Sequence, residues 1–431
     1  MKIFIGKVRK IYFYLLKKGA FHILMGGFLN KFVSLFGSII IVRLLTKQEY
    51  GILSYIENLY SYAFVIAGMG LSNSILRYVV LSKEIDEKKS YFHYALKNGF
   101  IFNIGLVLIA SIISLLYPHG ESFEIAKFLL IIMLLELPFQ DIVNDELFFE
   151  RAMFSNERYS YFSIITTILL LIGRIIGAIL FGIKGIVILQ VILYILISFI
   201  LFKSINKKYF KQTNNNVSIS TEKAKEINIY SLQYMITNGF WTIFMLNDVF
   251  LIGLFCQDPI VLAEYKVAYV LPGCMSILSG AIGTFVSPYF VQNENNLSWI
   301  KANFWRVFVA TILIIGFVSL GIAVLAKYII MIIYGKEYLN VIPLMYLLLI
   351  SSFINCGLRF TTANLLAAMG QIKYNMFVSL IGIIFQIVLN IVFIPKFQAY
   401  GAAFTSIIVY FIMSLILFII FSKKYSLFKK D

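Results

Sequence analysis

The sequence predicts an all-α polytopic membrane protein, with about twelve transmembrane helices in two pseudo-twofold-related six-helix bundles. Three observations lead there. Of 431 residues, 60% are hydrophobic and only 13% charged, a balance with which a soluble domain could not cover its surface. Apolar runs of about 20 residues recur from end to end, each long enough to cross a bilayer as a helix. The two halves also repeat one another at a nearly constant offset.

The first segment covers about 21–45, behind a basic arm carrying Lys2, Lys7, Arg9, Lys10, Lys17 and Lys18. No short apolar core followed by a small-residue cleavage site occurs in that arm, so no cleaved signal peptide is expected. The second segment, about 51–81, contains Gly68 and Gly70 as bend points. Segments of about 91–117, 124–149, 159–182 and 185–203 complete the first half. The polar run KQTNNNVSIS, Lys211–Ser220, reads as a linker. The expected division is therefore an N-terminal bundle with its arm over 1–210, a linker over 211–227, and a C-terminal bundle with a basic tail over 228–431. The second half holds segments of about 228–255, 261–290 (with Pro272 and Pro288 as bend points), 302–333, 340–368, 374–395 and 399–422. Several exceed the ~20 residues a span needs, so tilts and kinks are expected.

Lys and Arg set the orientation. The arm, the loop after the second segment (Lys83, Lys88, Lys89), the central loop (Lys203, Lys207, Lys208, Lys211, Lys223, Lys225) and the tail (Lys423, Lys424, Lys429, Lys430) fall on one side of an even helix count. The opposite loops, PHGESFE and CQDPIVLAE, carry no Lys or Arg. Both termini are expected in the cytoplasm.

The repeat rests on four matches. EYGILSY (Glu49 to Tyr55) pairs with EYKVAY (Glu264 to Tyr269), and Tyr117 with Tyr334. RAMFSNERY (Arg151 to Tyr159) pairs with AAMGQIKY (Ala367 to Tyr374), and Gly185 with Gly401. Six helices per half is an even number, so the repeats are parallel and related by an axis along the membrane normal. Two such bundles suit alternating access; a duplication serving architecture alone is the other reading.

Other classes fit poorly. The net charge is +16, yet the positive residues sit in short loops, so nucleic acid is not the expected partner. Cys256, Cys274 and Cys356 have neither metal spacing nor a disulfide framework and read as small apolar filler. His22, His93 and His119 lie near segment ends and read as interfacial. No GxxxxGK[ST] loop and no His/Cys/carboxylate metal cluster is present, and no cofactor or enzymatic activity is expected.

Polar residues inside spans usually face the bundle interior or a water-filled cavity. Lys31, Ser34 and Ser38 share a face, as do Glu136, Gln140 and Asn144. Tyr230, Tyr234, Asn238, Trp241, Met245 and Asp248 recur every three or four residues. Asn355 and Arg359 are one turn apart, as are Gln386 and Asn390. Arg174 is flanked by Gly173 and Gly177, which admit a close neighbouring helix. An arginine at a span centre costs about 2.5–3.5 kcal/mol on insertion scales, so Arg359 needs compensation. Interhelical hydrogen bonding accounts equally for the amides and hydroxyls, and an Asp248–Arg359 pair is the structural rival for the charges. Glu57, near the outer end of its segment, is either a proton or cation site or an interfacial acid.

The chain resembles polysaccharide flippases of the Wzx type, within the multidrug/oligosaccharidyl-lipid/polysaccharide transporter superfamily. RLLTKQEYGILSY, AGMGLSNSILRYVV, LNDVFLIGLF and LAEYKVAYVLPG carry the resemblance, with YGKEYLNVIPLMYLLL, ANLLAAMGQIKYN and LNIVFIPKFQAYGAAFTSII strongest. It implies transfer of undecaprenyl-diphosphate-linked oligosaccharides to the outer leaflet of a bacterial inner membrane, for O-antigen, capsule or related polysaccharides. Implied partners are that lipid-linked substrate, membrane lipids, and polymerase or export machinery. On this reading Lys31, Arg174 and Arg359 are cavity cations for the diphosphate, with Arg77 at the cytoplasmic side, because guanidinium groups bind phosphate bidentately. Asn238, Trp241 and Asn355 are candidate glycan contacts. Asp248 and Glu57 are candidates for proton or sodium coupling. A drug or metabolite exporter of the same superfamily would favour acidic cavity residues, for which Asp248, Glu57 and Glu136 speak. A lipid II flippase commonly carries two more helices.

Overall fold

Apolar segments without water around them must satisfy their backbone internally, and here they do so as helices. The fold comes from a computed structural model and covers residues 20–117, 119–211 and 218–428, with side chains from residue 25. The basic arm, linker residues 212–217, the tail lysines Lys429 and Lys430 and the His22 side chain lie outside the described residues.

Helix α1 is Ala20–Leu44. Helix α2, Lys47–Val65, meets a 3-10 turn, Ala67–Gly70, and continues as α3, Leu71–Leu81, after a 44° bend. The bend falls where Gly68 and Gly70 are expected to bend the chain. Helix α4 is Ile85–Leu116, and α5 (Glu124–Leu134) and α6 (Leu137–Ala152) form a broken pair. Helix α7, Asn156–Tyr209, is two segments joined across a break at Phe181 and Gly182. Helix α8 is Thr221–Cys256 and begins inside the stretch expected to be linker. Helix α9, Pro259–Gln292, stays helical through Pro272 and Pro288. Helix α10 is Leu297–Ile333. Helices α11 (Ile342–Phe353) and α12 (Phe360–Ala368) flank a π-helical stretch, Ile354–Arg359. Helix α13, Ile372–Lys424, breaks at Gln398. With α2–α3, α5–α6 and α11–α12 each counted as one bent segment, and α7 and α13 each divided at its break, the described helices supply the twelve predicted segments.

Contacts define two compact units. The first takes the chain to Thr46, Leu59–Pro118 and Glu124–Ile236; the second takes Lys47–Asn58, His119–Phe123 and Thr237–Asp431. Their limits therefore fall inside α2 and α8, not at the expected 210, 227 and 228. The reason is close packing of the start of α2. A Cβ on Gly51 would lie 1.8 Å from the Pro259 carbonyl oxygen, and one on Gly253 2.6 Å from the Tyr55 ring. Asn58 also donates to the Leu246 carbonyl at 3.0 Å, and Lys47 pairs with Glu264 at 3.1 Å. Only glycine permits the close approaches at 51 and 253, and with the two polar contacts they hold residues 47–58 in the second unit.

Each unit has its own core. The first centres on Leu71, Ile75, Phe92, Phe149 and Ile205, the second on Phe244, Phe304, Val378, Met413 and Phe421. Leu116, Phe317 and Val324 are more than three-quarters exposed. Such an apolar exterior suits lipid rather than water.

Candidate functional site

The π-helical stretch positions Arg359. The Phe360 N–H bonds the Asn355 carbonyl, five residues back, so one extra residue widens the turn. The side chain of Arg359 is 5% exposed. Its Nε donates to Asn355 Oδ1 at 2.8 Å, and its guanidinium carbon lies 4.1 Å from the Trp241 ring centroid. A charge-assisted hydrogen bond contributes about 1.5–3 kcal/mol and a desolvated cation–π contact about 2. Together these compensate for burying the cation.

Asp248 is not its partner. Asp248 Oδ1 accepts from Gln386 Nε2 at 2.9 Å and Asn390 Nδ2 at 2.8 Å. Its Oδ2 accepts from Tyr265 Oη at 3.0 Å and Ser406 Oγ at 2.7 Å. Four donors stabilise this buried carboxylate without any cation. Asn247 Nδ2 adds a bond to Gln386 Oε1 at 3.2 Å, while Asn390 Oδ1 is buried without a hydrogen-bond partner.

A family described as "Polysaccharide biosynthesis protein" matches residues 40–343, well over half of the chain. The chain belongs to the polysaccharide biosynthesis protein family. It is also 22% identical over 425 residues to an uncharacterised membrane protein of Methanocaldococcus jannaschii, covering 92% of this chain and 82% of that one. Among solved structures it is similar to an inward-facing multidrug resistance MATE family transporter of the MOP superfamily, with TM-score 0.72 and 14% identity over 92% of this chain and 94% of that one. It is equally similar to the lipid II flippase MurJ in an inward closed conformation, with TM-score 0.72 and 18% identity over 93% and 87%. These similarities establish the fold: this polysaccharide biosynthesis protein has the transporter architecture expected from its sequence.

Within this family member the expected site residues divide into separate surroundings. Arg359, Asn355 and Trp241 form one cluster in the second unit. Asp248 heads another in the same unit, with Gln386 and Asn390 as the spacing suggests. Asn238 is exposed on α8. Glu57 is half-buried on α2. In the first unit, Lys31 is exposed on α1, and Arg174 is half-buried on α7 within electrostatic reach of Tyr194. Glu136 acts on the same tyrosine and accepts from Gln190 Nε2 at 3.0 Å. Arg77 is exposed on α3, over the Tyr230 ring.

Sequence spacing missed two features. Tyr265 and Ser406 complete the Asp248 cluster from α9 and α13. Helix α6 also buries Asp141, Asp145 and Glu146. Asn103 bridges Asp141 Oδ2, at 2.8 Å, to the Gly68 N–H, at 2.7 Å. Nearby Glu150 pairs with Arg158 at 2.9 Å and accepts from the Tyr209 hydroxyl at 2.8 Å. Their four-residue spacing was the available signal. Among the described residues no group of metal-ligating side chains is placed to hold a metal ion.

Proposed function

We propose that this protein is a flippase that moves undecaprenyl-diphosphate-linked oligosaccharides from the cytoplasmic to the outer leaflet of a bacterial inner membrane, with both termini cytoplasmic. The lipid tail stays in the bilayer while the headgroup needs a polar, cationic path. The observation that carries the reading is Arg359: a buried guanidinium fixed by Asn355 and Trp241, with no carboxylate among the described residues paired to it. An anionic headgroup supplies the missing charge. Family membership and the transporter fold support the same reading. Products of this step would feed O-antigen, capsule or related assembly, with polymerase or export machinery as the downstream partner. The test is translocation of a prenyl-diphosphate-linked oligosaccharide in proteoliposomes. Arg359→Gln, at equal protein level, is expected to lower the rate at least tenfold; an unchanged rate refutes the role of Arg359.

The Asp248 cluster is proposed as the coupling site for a proton or sodium ion. It concentrates a buried carboxylate and two hydroxyl oxygens from three helices, and the orphaned Asn390 Oδ1 gives a further ligand atom. Imposed pH or sodium gradients are expected to change the translocation rate in the wild type and not in Asp248→Asn. Equal rates with and without both gradients would remove ion coupling.

A further inference from the structure

Two cations of the first unit meet a carboxylate partner. Arg158 has Glu150, and Lys223 has Glu226 at 2.8 Å. Arg77 differs. Its guanidinium carbon lies 5.0 Å from the Tyr230 ring centroid and 5.9 Å from that of Tyr78; it lies within electrostatic reach of Glu226, but among the described residues it makes no hydrogen bond or close ion pair. The rings fix its direction through cation–π contact without using its five N–H donors. Tyr78 is itself held, because its hydroxyl donates to Glu226 at 3.0 Å and the Lys223 ammonium sits 4.7 Å from its ring.

Arg77 opens onto a groove of about 370 Å³, toward the small end of the ~300–1,000 Å³ usual for ligand sites. Asn73, Tyr230 and Tyr234 supply polar groups along it; Leu76, Val80 and Leu81 form an apolar wall. Leu81 is 65% exposed at the end of α3. The groove is thus amphipathic, with an unused bidentate phosphate donor at one side and a greasy wall at the other.

We infer that this groove receives the diphosphate of a prenyl-linked lipid, with Arg77 on the phosphates, Tyr230 and Tyr234 beside the first sugar, and the prenyl chain along Leu76, Val80 and Leu81. The inference rests on the flippase reading, and it names a docking point in the first unit separate from Arg359. Its side of the membrane follows from the lysines of the next loop, Lys83, Lys88 and Lys89, which put the end of α3 at the cytoplasmic face where such lipids are made.

The test uses the purified full chain in detergent and a farnesyl diphosphate analogue with a photoreactive group at the tail end. Labelling is expected on residues 76–81, falling about ten- to a hundredfold at a fixed low probe concentration in Arg77→Gln, as loss of a charge-assisted bidentate contact implies. Arg77→Lys, which keeps charge but not the fork, is expected to fall between. Thermal unfolding of each variant checks that it folds. Inorganic pyrophosphate and farnesol, as separate competitors, are each expected to compete at least tenfold more weakly than unlabelled farnesyl diphosphate. Labelling unaffected by Arg77→Gln overturns the inference, as does labelling confined to other peptides. Competition by pyrophosphate equal to that of farnesyl diphosphate overturns the lipid assignment. The two readings fail separately: normal translocation with Arg77-independent labelling sinks this site alone, whereas Arg77-dependent labelling without translocation sinks the flippase reading alone.

Discussion

Arg359 is held by two contacts of different kinds, and they can be separated. Trp241→Leu removes the ring and leaves the Asn355 bond, so a loss of about 2 kcal/mol is expected in thermal unfolding of the detergent-solubilised protein. Asn355→Leu leaves the Nε donor unsatisfied in the interior and should cost about as much. The opposite argument applies at Asp248. Asp248→Asn keeps one acceptor for Gln386 and Asn390 and presents a donor to the Tyr265 and Ser406 hydroxyls, which can turn to accept, so a loss of about 1–2 kcal/mol is expected from exchanging charge-assisted for neutral hydrogen bonds. Half of each cluster was legible in the sequence because its members lie four residues apart on one helix: Asn355 with Arg359, and Gln386 with Asn390. Tyr265, Ser406 and the Trp241–Arg359 contact come from different helices, and spacing along one helix carries no information about them.

At the scale of elements, the break between α2 and α3 shows what glycine does and where composition stops being informative. Gly68, Met69 and Gly70 all take left-handed backbone angles, with φ of 56°, 53° and 73°. The two glycines mark the bend in the sequence; Met69 gives no such sign, because a non-glycine residue enters that region only when its neighbours force it. The bend brings the Gly68 N–H to Asn103 and leaves room for Asp141. A Cβ on Gly68 would sit 2.2 Å from Asp141 Oδ2. Gly68→Ala is therefore expected to lose about 2–3 kcal/mol from backbone strain and displacement of the carboxyl. Gly105→Ala is the control, since that glycine is helical with open space around it; it should gain up to about 1 kcal/mol. Thermal melts of the two variants in one detergent decide the matter. The π-helical stretch before Arg359 had no sequence signal at all: INCGLR reads as one more apolar turn, and its extra residue follows from tertiary packing.

At the scale of the whole chain, the repeat survives in backbone geometry more clearly than in side chains. Gly120 and Gly335 both have positive φ at an offset of 335 − 120 = 215; Phe154 and Gly370 do so at 370 − 154 = 216; Gly182 and Gln398 do so at 398 − 182 = 216. The last pair share nearly the same angles, φ 59° with ψ −138° and φ 51° with ψ −132°. Each break turns the chain so that a glycine three residues later meets the preceding helix backbone. A Cβ on Gly185 would lie 2.2 Å from the Gly177 carbonyl oxygen, and one on Gly401 2.4 Å from that of Phe393. These partners are again 216 apart. Side chains diverged where the fold allows it: a Phe occupies the position of a Gly at 393 and a Gln that of a Gly at 398. Gly185 and Gly401 did not, because the obstacle is backbone, which has no rotamer to yield. Gly185→Ala and Gly401→Ala are therefore expected to destabilise their own halves to a similar degree, about 3 kcal/mol each, at the upper end of overpacking costs. Gly177→Ala should also be harmful, since its Cβ would lie 2.5 Å from the Gly185 carbonyl, whereas Phe393→Ala adds no such clash. Comparable loss of folded, monodisperse protein for Gly185→Ala and Gly401→Ala, with Gly177→Ala worse than Phe393→Ala, would show that the duplicated turn is held by the same physical constraint in both halves. Tolerance of alanine at either Gly185 or Gly401 would mean that this half can widen its helix pair.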